Sequence, residues 1–452
     1  MFSRVLVANR GEIAVRVIRA LHELDVEAVA IYSTADADSL HVRLADHAVK
    51  IGPPAASRSY LSIPAVIAAA ETTGCEAIHP GYGFLSENPD FVRACADNEL
   101  VFVGPTAEVM ERMGDKARAK EEMRAARVPL VPGTEGAATL TEAVAAAEEL
   151  GFPVLLKATA GGGGKGMRLV RAPHELESAY STARVEAEAA FGDGSLYVEK
   201  AIDPARHVEI QVLCDRQGGV LTLGERECSI QRRHQKLIEE SPSPALDPER
   251  REEMEAAAER ACRAIGYENA GTFEFLLGPD STFHFIELNA RLQVEHPVSE
   301  LVTGIDVVRE QLRIASGEPL SLTGRAPRRG HALEFRLNAE DPARDFAPAP
   351  GRITRFRPSL GPGVRIDTFL EEGSSISPYY DSLIAKLIVW AEDRDAAIAR
   401  GIRALEELEL EGIPTTRALA LDVLRSPEFR SGEYSTSFLA DVEERLPALA
   451  PV

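Results

Sequence analysis

Five polar residues alternate with single apolar residues in the second half of the chain: Glu287, Asn289, Arg291, Gln293 and Glu295. Alternate side chains of an extended strand point to the same face, so the spacing predicts one row of carboxylate, amide and guanidinium groups. Carboxylates beside apolar packing are costly unless they are paired or bind a cation. The pattern therefore indicates a binding site, and a solvated strand edge with incidental alternation is the alternative.

A second predicted strand lies directly before this row. It covers residues 271–277 and contains Glu274, and residues 278–281 after it carry glycine, proline and aspartate, which form a turn signal. A hairpin there would bring Glu274 across from Glu287 and Asn289. Two carboxylates and an amide oxygen form a hard oxygen site suited to Mg²⁺, with nucleotide phosphates completing the shell.

A glycine-rich segment, residues 161–166, contains Lys165 and lies between the strand-like runs 154–157 and 167–170. This order predicts a hairpin with a mobile tip. Glycine backbone N–H groups can approach phosphate oxygens closely, and Lys157 adds positive charge. A Walker A loop is excluded, because a glycine follows the lysine and no helix begins there. A flexible linker is the alternative to phosphate binding.

Positive charge is concentrated in one other segment of this acidic chain, at Arg226, Arg232, Arg233, His234 and Lys236. The cluster offers an anion site. A solvated basic face that balances nearby glutamates is an equal alternative on the residues alone.

For two further side chains, the residues alone favour an ordinary structural or surface role. His207 shares a predicted strand face with Glu209 and Gln211, and a single histidine there is more often structural than a ligand. Arg336 points away from its neighbours Phe335 and Leu337, so a surface arginine is the default interpretation.

The elements that must position these groups begin with an α/β unit. From residue 4 to about residue 127, short β-rich runs alternate with amphipathic helical runs, a pattern typical of a parallel sheet. The first turn, residues 9–12, lacks the spaced glycines of a dinucleotide site, which argues against hydride transfer. The loop 81–84 follows a short strand and is either a ligand loop or a plain turn. Two prolines and a glycine in residues 128–133 predict a boundary.

Composition limits the class of protein. A chain of 452 residues exceeds one hydrophobic core and predicts two to four domains. The formal charge of −21 would repel nucleic acid and anionic lipid. Five scattered cysteines without C-x-x-C spacing argue against a disulfide framework or a zinc site. The first residues do not form a signal peptide and no apolar run is long enough for a membrane helix, so we expect a cytoplasmic protein.

Segments along nearly the whole chain match the motifs of one family. They are residues 5–14, 79–88, 113–116, 207–211, 225–236, 287–297, 334–341 and 379–382, together with Lys157 and the glycine segment. On these motifs the chain resembles the biotin carboxylases, the ATP-grasp subunits of bacterial acetyl-CoA carboxylase and related acyl-CoA carboxylases. The resemblance implies an α/β and α+β architecture with the ATP-grasp fold. It divides the chain into a Rossmann-like N-terminal domain (1–128), a mobile glycine-rich lid (129–202), a catalytic core (203–330) and a β-rich C-terminal domain (331–452).

The resemblance also implies roles for individual residues. ATP would be held by Lys116, Lys157, Gly163, Gly164, Glu199, Lys200, Ala201, Ile202, His207, Gln231 and His234, with Glu274 and Glu287 beside its phosphates. Mg²⁺ or Mn²⁺, as two ions, would be bound by Glu274, Glu287 and Asn289. Bicarbonate would be gripped by Lys236, Arg291, Gln293 and Val294, with Glu295 taking its proton. Tyr82 would contact substrate, and Arg336 would stabilise the enolate-like biotin ureido oxygen, which reverses the default for that arginine.

The implied reaction starts with phosphorylation of bicarbonate by ATP to carboxyphosphate, which a closed lid must protect from water. The carboxyl group would then pass to biotin on a carrier protein, the first half-reaction of a carboxylase that serves fatty acid synthesis. Implied partners are the biotin carboxyl carrier protein and carboxyltransferase subunits, and the implied assembly is a homodimer. No Met-Lys-Met biotin site occurs, so biotin is expected on another chain or on a region outside this sequence.

Small departures from the family pattern occur at Ala160, Lys165, Ala201 and Ile202, and they concern the lid and the adenine contact. Three alternatives remain at this point: an ATP-grasp ligase with another acceptor, the carboxylase part of a pyruvate- or propionyl-CoA-type enzyme, and a nucleotide-sensing scaffold. The retention of Glu295 and Arg336 in their local sequence favours biotin carboxylation over the first and the third.

Overall fold

A computed structural model describes residues 1–134, 136–159 and 167–450. The chain begins with a five-stranded parallel sheet in the order β3-β2-β1-β4-β5, which confirms the predicted α/β unit. Its strands are β1 (Arg4–Val7), β2 (Glu27–Ser33), β3 (His47–Gly52), β4 (Ala77–His79) and β5 (Val101–Phe102). Its helices are α1 (Gly11–His22), α2 (Leu40–Leu44), α3 (Ile63–Thr73), α4 (Pro89–Asp97), α5 (Ala107–Gly114) and α6 (Lys116–Ala125).

Both faces of this sheet are covered. Leu6 packs into one buried cluster, whereas its neighbours Val5 and Val7 pack into another together with Ile13 of α1. A parallel sheet joined by helical crossovers is buried on both faces, which explains the continuous apolar run in β1. The carboxyl end of β4 is thereby held in place, and it leads directly into the loop that carries Tyr82.

The next unit has a hydrophobic core of its own. A three-stranded antiparallel sheet, β7-β6-β8, consists of β6 (Val154–Ala158), β7 (Met167–Val170) and β8 (Leu196–Lys200). Helices α7 (Leu140–Leu150) and α8 (Leu176–Phe191) pack against it. The predicted pairing of the two runs beside the glycine segment is confirmed by the antiparallel register of β6 with β7. The predicted phosphate contacts of Gly163 and Gly164, and the positions Ala160 and Lys165, lie outside the described residues.

The largest sheet runs in the order β13-β12-β9-β10-β11-β15-β22-β20, and β14 pairs with β10. It crosses residue 330 without a break, because β11 pairs with β15. The elements up to that point are β9 (Arg206–Cys214), β10 (Val220–Arg232), β11 (Gln235–Ser241), α9 (Pro248–Ile265), β12 (Asn269–Leu277), β13 (Phe283–Asn289), α10 (His296–Thr303), α11 (Val307–Ala315) and β14 (Gly324–Arg325).

The last part of the chain packs around a further core. Its strands are β15 (His331–Asn338), β16 (Glu340–Asp341), β17 (Ala347–Pro348), β18 (Gly351–Arg352), β19 (Arg355–Arg357), β20 (Val364–Thr368), β21 (Ser375–Ile376), β22 (Leu383–Ala391) and β23 (Glu409–Glu411). Its helices are α12 (Arg394–Glu407), α13 (Arg417–Arg425), α14 (Pro427–Ser431) and α15 (Phe438–Val442).

Two observations concern membrane-spanning helices and the state of the cysteines. Within the part of the chain that the structure describes, no helix combines the length and the apolar composition needed to cross a membrane. The five cysteines are buried free thiols.

Candidate active site

The hairpin of β12 and β13 places two carboxylates side by side. Glu274 pairs in register with Glu287, and Asn289 lies opposite Thr272, so the predicted hairpin is confirmed. Burial raises the pKa of Glu287, and repulsion from Glu274 acts in the same direction. Burial alone would also raise the pKa of Glu274, but Lys236 and His207 outweigh burial and hold that pKa well below its ordinary value.

The residues of this hairpin fit an oxygen-ligated divalent cation. The repulsion between Glu274 and Glu287 is the kind that a bound cation relieves. The amide oxygen of Asn289 accepts a hydrogen bond from Arg291 Nη2 at 2.9 Å, while its buried Nδ2 has no hydrogen-bond partner among the described residues. The hairpin thus supplies the oxygen types that such an ion binds, and Lys236, His207 and Arg291 contact the oxygens of Glu274 and Asn289 in its place.

Lys236 on β11 is the centre of the site. Its buried Nζ lies 2.6 Å from Glu209 Oε2, 2.9 Å from Glu274 Oε1 and 2.6 Å from Glu295 Oε1. Burial would lower the pKa of this lysine, but the three carboxylates outweigh burial and raise the pKa well above its ordinary value. The ammonium therefore stays charged. His207, Glu209 and Glu274 also lie close enough to share a metal ion, but Lys236 already supplies the cation among these carboxylates.

Arg226, which the sequence grouped with a basic face, is fully buried beneath this centre. Its guanidinium donates from Nε to Glu209, from Nη1 to Gln211 Oε1 at 2.7 Å, and from Nη2 to Thr272 Oγ1 at 3.0 Å. The interpretation of a solvated basic face is wrong for Arg226 and Lys236. The reason is that β10 and β11 lie in the middle of the large sheet, not at its edge.

The rest of the basic cluster points elsewhere. Arg232 and Arg233 both pair with the exposed Asp345, and of the two arginines Arg233 is exposed and Arg232 is partly buried. His234 occupies the turn between β10 and β11 with a φ of 68°. Partial burial lowers the pKa of this histidine, and His207 and Lys157 lower it further. The cluster is therefore divided between the interior and the rim of the site.

Arg336 joins the site from β15. Its Nη2 donates to Glu295 Oε2 at 3.0 Å, and its Nε donates to Glu239 Oε1 at 2.6 Å. Only 16% of its side chain is exposed, so the default of a surface arginine is wrong. The strand alternation placed it correctly opposite Phe335, but that face of the sheet packs beneath the loop after β13 and not against solvent.

The predicted strand beyond residue 289 is wrong, because β13 ends at Asn289 and residues 290–295 form a loop that leads into α10. The physical cause is a side chain from the first unit. Glu87 accepts a hydrogen bond from the backbone N–H of Ala290 at 2.9 Å and another from Arg291 Nε at 2.9 Å. The backbone is thereby captured by a carboxylate and does not continue a sheet ladder.

The loop nevertheless gathers the predicted side chains. Gln293 Nε2 donates to Glu274 Oε1 at 2.9 Å, and Lys236 Nζ donates to Gln293 Oε1 at 3.3 Å. Burial would raise the pKa of Glu295, but Lys236 and then Arg336 outweigh burial and hold the pKa below its ordinary range. Glu295 is therefore an ionised carboxylate between two cations.

The described residues predicted to meet the nucleotide lie on α6, β6, β8, β9 and β10, on the β12–β13 hairpin, and in the segments after β8 and β10. Lys157 Nζ contacts Glu199 Oε2 at 2.5 Å, and His207 Nε2 lies 3.0 Å from Glu274 Oε2. Burial lowers the pKa of Lys116, and repulsion from Lys157 adds to this effect. His207 therefore touches the carboxylate hairpin directly, whereas Lys157 pairs with Glu199 of β8.

The remaining residues predicted to bind the nucleotide lie at or just after the end of β8 and on β10. Lys200 donates to the carbonyl of Gly151 at 2.9 Å, Ala201 and Gln231 are buried, and Ile202 is partly buried. Lys120, which the sequence did not single out, contacts Glu199 Oε1 at 2.5 Å. The sequence signal for Lys120 was its four-residue spacing from Lys116, which puts both lysines on the same face of α6.

Sequence reasoning also missed Glu12, Glu87, Glu209, Glu239 and Lys386. The hydroxyl of Tyr82 donates to Glu12 Oε1, and Lys386 contacts the same carboxylate oxygen at 3.2 Å. A lysine within the otherwise apolar run of β22 was a usable signal, because a buried lysine needs a partner. Glu209 was visible in the sequence only as a neighbour of His207 on one strand face. Glu12, Glu87 and Glu239 gave no comparable signal, since each meets its partner only through the tertiary fold.

Three family models match the chain. The biotin carboxylase N-terminal domain matches residues 1–110, the ATP-binding domain of the carbamoyl-phosphate synthase L chain matches residues 115–323, and the biotin carboxylase C-terminal domain matches residues 334–441.

Two relatives illustrate the similarity in sequence. The chain is 54% identical to a biotin carboxylase of Nostoc sp., over 98% of this chain and 100% of the relative. It is 50% identical to a pyruvate carboxylase subunit of Methanothermobacter thermautotrophicus, over 99% of this chain and 91% of the relative.

Two solved structures are similar over nearly their full length. A biotin carboxylase complex with β,γ-ATP from Campylobacter jejuni has a TM-score of 0.93 at 48% identity, covering 98% of this chain and 99% of that one. The biotin carboxylase domain dimer of 2-oxoglutarate carboxylase from Hydrogenobacter thermophilus, with MgADP, ADP and bicarbonate, has a TM-score of 0.92 at 47% identity, covering 98% of each chain. The predicted ATP-grasp fold is thereby confirmed.

Proposed function

This chain belongs to the biotin carboxylase family of ATP-dependent ligases, and we propose that the site around Lys236 is where it activates bicarbonate. The observation that carries the proposal is the ring of contacts about one buried ammonium, with Glu295 held between Lys236 and Arg336. A small anion that enters such a site meets fixed cations and an ionised carboxylate at once.

The bicarbonate subsite is proposed from these contacts. Lys236, Arg291, Gln293 and the backbone of Val294 would hold the anion, because an ammonium, a guanidinium and an amide supply donors in a water-poor pocket. Glu295 would take the bicarbonate proton. Lys236 and Arg336 keep Glu295 ionised, as a base must be, but they also hold its pKa below the ordinary range and so weaken it as a base. The bound anion would therefore replace part of that pairing before Glu295 accepts the proton.

The nucleotide would lie along the carboxylate hairpin. Glu274, Glu287 and Asn289 would hold Mg²⁺ or Mn²⁺, as two ions, with nucleotide phosphates and water completing both coordination shells. When bound, the divalent ions neutralise charge on the ATP phosphates. Lys116, Lys157 and His207 would contact the phosphates, together with Gly163 and Gly164 of the glycine segment. The backbone of residues 199–202 would meet the adenine, and Gln231 and His234 would line the same pocket.

The chemistry follows from the weak electrophilicity of bicarbonate. Transfer of the ATP γ-phosphoryl group to bicarbonate gives carboxyphosphate, and cations around the group offset the charge of a loose transition state. Carboxyphosphate would then break down to CO₂ and phosphate, and the released phosphate would take the proton of the biotin nitrogen as that nitrogen attacks CO₂. Arg336 would stabilise the enolate-like ureido oxygen of biotin during this step, with Tyr82 nearby. The contact of Arg336 with Glu295 supports a shared site for the two substrates, because the arginine proposed for biotin touches the proposed base.

The wider assembly is proposed from the relatives. We expect a homodimer that works with a biotin carboxyl carrier protein and carboxyltransferase subunits in the cytoplasm. The dimer named for the Hydrogenobacter thermophilus domain supports the first expectation, and the buried free thiols support a reducing compartment. The separate hydrophobic core of residues 138–198 supports a lid at residues 129–202. In the proposed division, the lid follows unit 1–128 and precedes units 203–330 and 331–452, which share the large sheet.

The direct test is ADP release by the purified chain with ATP and Mg²⁺, with and without bicarbonate and free biotin. We expect release to depend on bicarbonate and to rise with biotin. Turnover that is indifferent to both would contradict the proposal and would favour an ATP-grasp ligase with another acceptor. Biotinylated carriers from acetyl-CoA and pyruvate carboxylases, compared as substrates, would identify the complex that the enzyme serves.

A further inference from the structure

Lys386 is a fully buried lysine in the apolar strand β22. Its Nζ donates to the backbone carbonyl of Val294 at 2.9 Å and lies 3.2 Å from Glu12 Oε1 and 4.0 Å from Asp367 Oδ2. Its shortest contact is thus with a backbone carbonyl and not with either carboxylate. That carbonyl belongs to the residue between Gln293 and Glu295.

The other end of this contact leads to Tyr82. Glu12, at the start of α1, is buried and accepts the hydroxyl hydrogen bond of Tyr82 on the same oxygen that faces Lys386. A chain of three side chains therefore connects β22, α1 and the loop after β4. It joins the loop 290–295 to Tyr82 from beneath the site.

Two neighbouring strands anchor the loop in complementary ways. Lys386 and Arg336 are register partners on β22 and β15. Arg336 holds the side chain of Glu295, and Lys386 holds the backbone one residue earlier. Because the loop has left the sheet ladder at Asn289, these contacts supply the fixed points that a strand would otherwise provide.

A stabilising ion pair alone does not account for this arrangement. A buried lysine costs desolvation that a well-packed apolar residue avoids, so buried ion pairs are weak evidence for a stabilising role. A site that must hold its groups to within a fraction of an ångström benefits from such an anchor.

We propose that Lys386 is a positioning residue that fixes the carbonyl of Val294 and, through Glu12, the hydroxyl of Tyr82, so that the bicarbonate and biotin sides of the site keep one geometry. The inference rests on the proposed function of the loop 290–295 and of Tyr82.

The experiment compares four full-length proteins: wild type, Lys386→Met, the double variant Lys386→Met/Glu12→Gln, and Arg394→Met. The double variant removes both charges while the glutamine still accepts from Tyr82. Arg394 is the matched control, because it also pairs with a buried carboxylate, Glu240, and donates to a backbone carbonyl, that of Phe429, outside the proposed site. Bicarbonate KM, ATP KM and Tm are measured for each.

Lys386→Met is expected to raise the bicarbonate KM about ten- to hundredfold, with the ATP KM changed by less than about twofold, because only the loop geometry is disturbed. The double variant should recover Tm, since no buried charge is left alone, yet keep the raised bicarbonate KM. Arg394→Met should lower Tm with both KM values unchanged.

Recovery of both Tm and bicarbonate KM in the double variant would overturn the inference, because Lys386 would then be a structural ion pair only. A double variant that does not melt cooperatively would also overturn it, since the two charges would then be required for folding itself. Wild type is assayed first. If its ADP release does not depend on bicarbonate, the proposed function itself is contradicted, and the anchoring role that rests on it is contradicted as well.

Discussion

Arg336 donates a hydrogen bond from Nη2 to Glu295 Oε2 at 3.0 Å, so the arginine proposed for biotin and the base proposed for bicarbonate are in direct contact. Glu239 holds the other side of the same guanidinium. The two half-steps of the reaction therefore share one charge network. A change at either residue should affect biotin and bicarbonate chemistry differently from nucleotide binding.

Replacement of Glu295 by glutamine is expected to preserve ATP affinity and to lower bicarbonate-dependent ADP release about 10²- to 10⁴-fold, the usual contribution of a general base. Glutamine keeps the shape of the side chain, but its single oxygen can accept from only one of Lys236 and Arg336, which donate to different oxygens of Glu295. ATP affinity is measured by calorimetry and ADP release by a coupled assay. Glu310→Gln on α11 is a control outside the site, and undiminished turnover in Glu295→Gln would rule out the assigned role.

Replacement of Arg336 by alanine is expected to lower biotin-dependent carboxylation about 10²-fold or more, because a guanidinium aimed at a developing oxyanion is lost. ATP affinity should change by less than about threefold, because the guanidinium contacts Glu239 and Glu295 and not the nucleotide residues. The matched control is Arg232→Ala, which removes a surface pair with Asp345. Equal losses in carboxylation and in ATP affinity would contradict the role of Arg336.

Replacement of Glu287 by glutamine should raise the Mg²⁺ concentration for half-maximal activity about tenfold or more, since one anionic oxygen ligand is lost. Excess Mg²⁺ should restore part of the activity. The measurement is a Mg²⁺ titration of ADP release at fixed ATP. The control is Glu318→Gln in the loop after α11, which removes the same charge away from the carboxylate hairpin. A Glu287→Gln titration that overlays wild type would show that this carboxylate is not a metal ligand.

Local patterns predicted much of the fold. The parallel sheet, the β6–β7 hairpin and the Glu274–Glu287 pair each depend on periodicity and a nearby turn, which a sequence displays directly. Arg336 shows a limit of these local sequence patterns. Alternation gave the correct face of β15, but whether that face meets solvent depends on a loop from another part of the chain.

The remaining site residues depend on long-range contacts. Glu87 reaches Arg291 across 204 positions, and this contact ends the strand that alternation extended to Glu295. Lys386 reaches Val294 across 92 positions. Neither the Glu87–Arg291 pair nor the Lys386–Val294 contact can be predicted from sequence spacing, because only the tertiary fold brings the two residues of each pair together.

Glu334 provides a prediction about pH and stability. It is fully buried on β15, and neither carboxylate oxygen has a hydrogen-bond partner among the described residues. Burial raises the pKa of Glu334 well above its ordinary value. Lys386 and Arg336 oppose this shift, and Glu239 and Glu295 add to it. The carboxyl group is therefore protonated in the folded protein at pH values where the unfolded chain has ionised it.

The sign of the effect follows from proton linkage. Above about pH 4.3, the unfolded carboxyl loses its proton while the folded one keeps it, so stability falls as pH rises towards the folded pKa. Glu334→Gln removes this dependence at nearly constant shape. We expect the variant to gain stability over wild type by up to about 1.4 kcal/mol per pH unit between about pH 5 and the folded pKa.

Thermal melts of wild type and Glu334→Gln from about pH 5 to about pH 8 provide the measurement, and the Tm difference should widen as pH rises. Glu240→Gln is the control with the opposite shift. Burial would raise the pKa of Glu240, but His331 and Arg394 lower it to about 2, so its stabilising contribution is complete above about pH 4.3 and is lost only as pH falls below that value. The Glu240→Gln curve should therefore lie below wild type, and the gap should not widen as pH rises over this range. A difference for Glu334→Gln that does not widen either would show that Glu334 is ionised and paired in the folded protein.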